Sequence, residues 1–299
     1  MAFFAAVANR KGGVGKSTIT VMLAHALAVW GSKRVLILDL DSQCNTSLIL
    51  LGGQGWNEAR KAERTIADYF FDLFDGNTVM PKDYLIHGAG DVAGANGKAP
   101  TISLLPGSLM LEDVQGELYL KQAKESNDPD IVANRVGGRI QMLLRKFEGN
   151  YDVVLLDCPP GLSFAALAAL KIADRVIVPF RPDYVSELAV DRIALIIEDK
   201  RNQDALDEVP GAARRYVCLA NYVRENGRDR LLIEEIGLKH PVLDTQLPMR
   251  DGIANAFDYI GGNRQSLADK YGNATEDLRR LYDEVSPLLS DRHSKIAAQ

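Results

Sequence analysis

The chain has 299 residues, 46% of them apolar, and a formal net charge of -5 at neutral pH. One large core is affordable at this size, so a single domain over 1–299 is expected, and the acidic balance excludes a uniformly cationic surface, leaving any nucleic-acid contact to a local patch. Cys44, Cys158 and Cys218 are scattered without a Cys-x-x-Cys pair, which argues against a disulfide framework, a zinc site or an iron–sulfur carrier and fits a reducing cytoplasm.

In chain order, Phe3-Phe4-Ala5-Ala6-Val7-Ala8 is a short apolar run, followed by Lys11-Gly12-Gly13-Val14-Gly15-Lys16-Ser17-Thr18. No basic leader and no long apolar stretch precede this strand, so neither secretion nor membrane spanning is expected. Ile19, Met22, Leu23, Ala26, Leu27 and Trp30 recur at helical spacing up to Gly31. Strand, glycine loop and helix in that order make an anion site, because bare backbone N–H groups and the helix N-terminus converge on it. Lys16 is placed to reach β- and γ-phosphates, the Ser17 hydroxyl to ligate magnesium and Thr18 to contact the α-phosphate. The bland alternative is a chance glycine-rich turn.

Val35-Leu36-Ile37-Leu38 is a second continuous apolar strand and runs into Asp39-Leu40-Asp41-Ser42-Gln43-Cys44-Asn45. Two carboxylates beside a phosphate loop need a cation; one can act through the metal shell while the other orients an attacking water. Capping of the next helix by Asp41 or Ser42 is the structural alternative. Between about 52 and 100 the alternation weakens, and His87 to Gly97 is rich in small residues, so this stretch reads as a flexible surface insertion or a partner-binding loop. Further apolar strands are expected at Val153–Leu156, Val176–Val178 and Tyr216–Leu219, with helical stretches between them. The fold class is therefore α/β, a doubly wound, mainly parallel sheet flanked by helices, with ligands at the carboxyl ends of its strands.

Arg10 stands where an ordinary phosphate loop has its first glycine, and Lys11 is a second lysine near the loop's start. This is the deviant Walker A pattern. With Asp39 to Asn45, with the strand ending in Asp157-Cys158-Pro159-Pro160-Gly161 and with Pro179-Phe180-Arg181-Pro182, the chain resembles the ParA/MinD family of partitioning and positioning ATPases over most of its length. Ser42 replaces the proline usual in the family's acidic segment. The resemblance implies a P-loop NTPase that takes ATP and Mg2+, closes into a homodimer in the ATP state and hydrolyses slowly under stimulation by a cargo adaptor. By the same resemblance Gly12, Gly13, Val14, Gly15, Lys16, Ser17 and Thr18 cradle the phosphates, Lys11 reaches a phosphate across the dimer and Asp41 positions the hydrolytic water. Ser17, Asp39 and Asp157 serve the metal, and Asn221 and Pro248 line the base pocket, with capping of the next helix as the alternative role of Asn221.

The output implied is binding to nonspecific DNA, in a cytoplasmic, nucleoid-associated setting, with Arg224, Arg228, Arg230 and Arg250 as contacts and Lys200-Arg201 and Arg214-Arg215 as extensions. A solvated, salt-bridged face explains the same residues. A MinD-like membrane role would need a basic amphipathic helix at the C-terminus, and Pro287 followed by the polar run Asp291 to Lys295 does not supply one, so no membrane is expected. A small-molecule phosphoryl-transfer enzyme on the same scaffold is the other alternative, with a substrate pocket in 52–100. A sequence-specific regulator is disfavoured, since no helix-turn-helix segment precedes the loop.

Overall fold

The computed structural model describes residues 1–94, 97–126, 128–261 and 264–289. The chain runs β1 (Phe3–Val7), α1 (Lys16–Val29), β2 (Val35–Asp39), α2 (Asn45–Lys61), α3 (Ile66–Phe74), β3 (Ile86–His87), β4 (Ile102–Leu105), α4 (Leu111–Ala123), α5 (Pro129–Arg145), β5 (Val153–Asp157), α6 (Phe164–Ile172), β6 (Arg175–Phe180), α7 (Tyr184–Ile197), α8 (Gln203–Asp207), β7 (Tyr216–Val223), α9 (Gly227–Lys239), β8 (Leu247–Pro248), α10 (Asp251–Asn255), α11 (Leu267–Tyr271) and α12 (Thr275–Leu288).

The strands form one eight-stranded sheet in the order β3-β4-β2-β5-β1-β6-β7-β8, parallel except for the β3–β4 pair at its edge. The inner strands are continuous apolar runs because both faces are covered. Along β1, Phe4 and Ala6 enter a core with Tyr69, Phe70, Ile140 and Val190, while Phe3, Ala5 and Val7 enter a second core with Met22, Leu23, Leu278 and Leu281. That alternation is the period-two geometry of a strand, and it puts α3 to α7 on one face and α1, α11 and α12 on the other. The register sets β2 and β5 so that Asp39 lies directly beside Asp157, both at carboxyl ends.

The stretch expected to be slack, 52–100, is instead built into the fold over its described residues. α2 continues to Lys61 through a kink at Gly52, where φ is +67° and a Cβ would stand 2.6 Å from the Tyr259 ring. α3 opens on a capping box between Thr65 and Asp68 and buries Tyr69 and Phe70 completely. In the small-residue run, Ala89 and Val92 are core residues and Gly90 passes so close to His25 that a Cβ would sit 3.2 Å from its Nε2. Small side chains there permit close backbone approach, a use of glycine that composition does not separate from a mobile loop. Ala95 and Asn96, and the polar run Asp291 to Lys295, lie outside the described residues.

Candidate nucleotide site

The glycine loop leaves β1 at Val7 and enters α1 at Lys16, with Gly13 and Gly15 at φ +71° and +91°. The left-handed turn at Gly15 faces Asn221, and a Cβ there would come within 2.2 Å of the amide nitrogen, so only glycine fits. The loop is pinned from both sides. Asn9 accepts the Lys11 N–H at 3.0 Å and donates to the Pro179 carbonyl at 2.9 Å, while the Asn221 amide donates to the Val14 carbonyl at 2.9 Å. No side chain caps the start of α1, so its first N–H groups are available to an anion.

Lys16 is buried with its Nζ 3.4 Å from the Lys11 carbonyl, curled along the loop where a phosphate would lie. Burial pulls its ammonium below the usual lysine range, while the carboxyls of Asp157 and Asp41 pull the other way. Asp41 accepts the Gln43 N–H at 2.9 Å, and burial holds its carboxyl above the usual range. Asp157 accepts from the hydroxyls of Thr46 at 2.7 Å and Thr20 at 3.3 Å and is hydrogen-bonded to Ser17. Asp39 takes the Ser47 N–H at 2.9 Å, the Ser47 hydroxyl at 2.6 Å and the Asp41 N–H at 3.3 Å. Both Asp39 and Asp157 are fully buried, and burial raises both above the ordinary carboxylate range, Asp39 further because Asp157 stands beside it.

A cavity of about 530 Å³ opens over the loop, lined by Gly13, Gly15, Lys16, Ser17, Thr18 and Asp41 at its polar end. Leu48, Ile49, Tyr222 and Phe257 give it apolar walls, and Pro160 and Arg181 also border it. Of the sequence-predicted phosphate residues, Gly13, Gly15, Lys16, Ser17 and Thr18 converge on it, whereas Gly12 is not on its wall and the Val14 side chain is in the core. Neither Asp39 nor Asp157 is on the cavity wall: Asp39 is locked to Ser47 and Asp157 to Thr46 and Thr20. Asn221 and Pro248 are not on its wall either: Asn221 holds the loop, and Pro248 pairs with β7 in the sheet. Tyr222 and Phe257 line the cavity instead.

Lys11 points away from the cavity, ion-paired with Asp183 and 3.4 Å from the Ser186 hydroxyl on α7. Several partners were not read from the sequence. Thr46 and Ser47 follow Asn45 as a polar run at a helix start, which could have flagged them. Gly107 could be suspected only as a glycine after a strand; its N–H donates to Ser47 at 2.8 Å, and a Cβ there would press within 2.9 Å of the Asp39 carboxyl carbon.

The arginines divide. Arg224, Arg228 and Arg230 share the turn into α9, where Arg228 stacks on Tyr184 at 4.8 Å and Arg230 pairs with Glu234 at 3.0 Å. Arg250 is elsewhere, bound at 2.6 Å to the buried Asp277. Arg214 and Arg215 are structural, correcting their reading as a patch extension: Arg214 is buried and donates to the carbonyls of Leu206, Val209 and Lys239, and Arg215 to those of Leu170, Ala173 and Ile197. Their guanidiniums bond loop and helix-end carbonyls, several of which have no intrahelical partner.

The family profile described as AAA domain matches residues 4–207. The chain belongs to that family. Its relatives include the chromosome partitioning protein ParA of Caulobacter vibrioides, 26% identical over 98% of this chain and 97% of that one. Two uncharacterized proteins of Pseudomonas putida are 34% identical over 62% of this chain, which spans 58% of their length. Among solved structures, apo McdA of Cyanothece superposes with a TM-score of 0.66 at 17% identity, over 95% of this chain and all of that one. Cobyrinic acid a,c-diamide synthase of Mycobacterium smegmatis with ADP and magnesium superposes with a TM-score of 0.62 at 22% identity, over 95% and 96%. At such identities these likenesses establish the fold. The resemblance to the ParA/MinD family read from the loop motifs agrees with the named relatives. Among the described residues no helix is long and apolar enough to cross a membrane.

Proposed function

We propose that the chain is a ParA-like Mg-ATPase switch that pairs with a second copy when ATP is bound, holds nonspecific DNA in that state and positions a DNA or large-assembly cargo under the control of a stimulating adaptor. The observation that carries this reading is the second loop lysine. Lys11 is not needed to cradle the phosphate, since Lys16 and the loop amides already face the cavity, and it is parked at a half-exposed ion pair with Asp183. Pairs of that exposure are worth about 0–1 kcal/mol, so a better anion offered by a partner subunit would draw Lys11 away.

The rest of the site supports hydrolysis. Lys16, the loop amides and the start of α1 bind the phosphates. Ser17, hydrogen-bonded to Asp157, offers a hydroxyl and a carboxylate suited to Mg2+, directly or through water, and the ion would neutralise phosphate charge. Two acidic groups, Asp41 and Asp157, act on the single ammonium of Lys16, a balance that favours an added cation. Asp41, on the cavity wall and held by the Gln43 N–H, orients the attacking water; Asp39 acts through Ser47 as a support. The DNA face is the turn of Arg224, Arg228 and Arg230, with Arg250 left out because Asp277 holds it.

The test is binding to random-sequence duplex DNA in Mg-ATP against Mg-ADP at fixed salt. Binding in ATP alone is expected, with a log–log salt slope of about -0.9 per phosphate contacted. No DNA binding in either state by a protein that dimerises with ATP would remove DNA as the output surface.

A further inference from the structure

The cavity's apolar wall includes a segment well past the phosphate loop and its acids. Phe257, just after α10, lines the cavity with Leu48, Ile49 and Tyr222, and the chain beyond it is fastened at several points. Lys270 of α11, with its side chain only 2% exposed, donates to the Asp258 carbonyl at 2.9 Å and to the Asp91 carboxylate at 2.6 Å. The same carboxylate oxygen accepts the Ile260 N–H at 2.9 Å. The Asp91 carbonyl accepts the Gln265 N–H at 2.8 Å, and the Ala93 N–H returns to the Gln265 carbonyl at 2.7 Å. Tyr259, between them, packs on Gly52 at the kink of α2. One buried ion pair thus ties the 88–94 run to the strap that presents Phe257.

A buried pair of this kind is costly to desolvate and is a poor source of stability, whereas hydrogen bonds from both of its members to one short backbone segment fix that segment's position. We propose that Phe257 is the aromatic wall against which the nucleotide base packs, and that Asp91 and Lys270 are positioning residues that hold it there. The proposal rests on the nucleotide reading of the cavity. It gives the 88–94 run a role: it is the buttress of the base subsite. Tyr222 lies on the same wall, its ring covered by Arg181 at 4.0 Å, so Phe257 is the aromatic face left to the ligand.

The experiment measures affinity of the full chain for ATP and for inorganic tripolyphosphate, the latter sharing the phosphates but lacking the base. Phe257→Ala is expected to weaken ATP about tenfold, within the range for loss of one base–aromatic contact, and to leave tripolyphosphate unchanged, while Phe257→Tyr retains ATP. Asp91→Ala should weaken ATP similarly, Asp91→Asn should recover part of the loss, and the double variant Asp91→Ala/Phe257→Ala should be no weaker than either single one, because Asp91 acts through Phe257. Where Asp91→Ala does not fold, Asp91→Asn takes its place in the cycle. Undiminished ATP affinity in Phe257→Ala, an equal loss for tripolyphosphate, or losses that multiply in the double variant overturn the proposal. Failure of the unaltered chain to bind ATP would instead overturn the nucleotide reading beneath it.

Discussion

His25 makes the stability of this protein depend on pH in a way that can be calculated. It lies in the middle of α1, fully buried, its Nδ1 2.9 Å from the Tyr271 hydroxyl and its Nε2 without a hydrogen-bond partner. Gly90 and Leu50 wall the Nε2 side. Protonation would place a charge and an unanswered donor in that space. Burial therefore lowers its pKa to about 3; Asp91 opposes the shift, and Lys270 adds to it. The folded value lies below the unfolded one, so the stabilisation is complete above the unfolded value of 6.5 and is lost as pH falls towards 3. In that window the unfolded chain binds one more proton than the folded chain, at about 1.4 kcal/mol per pH unit, or roughly 2 kcal/mol between pH 6.5 and 5. Urea unfolding of the native chain and of His25→Leu across pH 5 to 7.5 isolates this contribution, since carboxylate titrations are common to both. The variant forfeits the Tyr271 hydrogen bond at every pH, which offsets its curve without tilting it. Parallel curves for the two proteins would refute the assignment of a neutral, trapped imidazole.

Substitutions in the loop separate capture from switching. Lys16→Ala is expected to abolish nucleotide binding or hydrolysis, whereas Asp41→Ala keeps ATP and accumulates as a stable dimer on sizing columns; a monomeric ATP-bound Asp41→Ala would count against pairing through the site. Lys11→Ala should bind ATP normally yet lose ATP-dependent pairing and turnover, and unchanged turnover would remove the argument drawn from the second lysine. Arg214→Ala removes the hydrogen bonds that its guanidinium donates to the carbonyls of Leu206, Val209 and Lys239 and should cost on the order of 3 kcal/mol in a denaturant titration. Arg228→Ala, by contrast, should leave stability within about 0.5 kcal/mol while weakening DNA retention, and equal retention by the unaltered chain would dismiss the turn into α9 as the DNA face.

The parts of this molecule that were legible in sequence are those whose physics is local. A phosphate loop announces itself because strand, glycines, lysine and helix start must be contiguous, and the acids because Asp39 and Asp157 each close an apolar strand and Asp41 follows two residues on. The short edge strands β3 and β8 have two residues each and carry no periodicity to read. The small-residue run from His87 to Gly97 reads as slack for a related reason, although its described part packs: glycine and alanine look the same whether they let a chain wander or let two backbones meet.

What decides the second layer of the site is separation along the chain. Lys11 meets Asp183 across 172 residues, Asn221 meets Val14 across 207, and Lys270 meets Asp91 across 179. None of these pairs has a local signature, since a lone aspartate or lysine in a loop is most often solvated. Each nevertheless governs something the motif leaves open: where the second lysine rests, how the glycine loop is braced and how the segment after Phe257 is held. The motif gives the chemistry a place to occur. Its timing and selectivity fall to contacts that only the folded sheet creates, so substitutions at Asp183, Asn221 and Asp91 should alter exchange and discrimination of nucleotides while leaving the phosphate-binding chemistry itself in place.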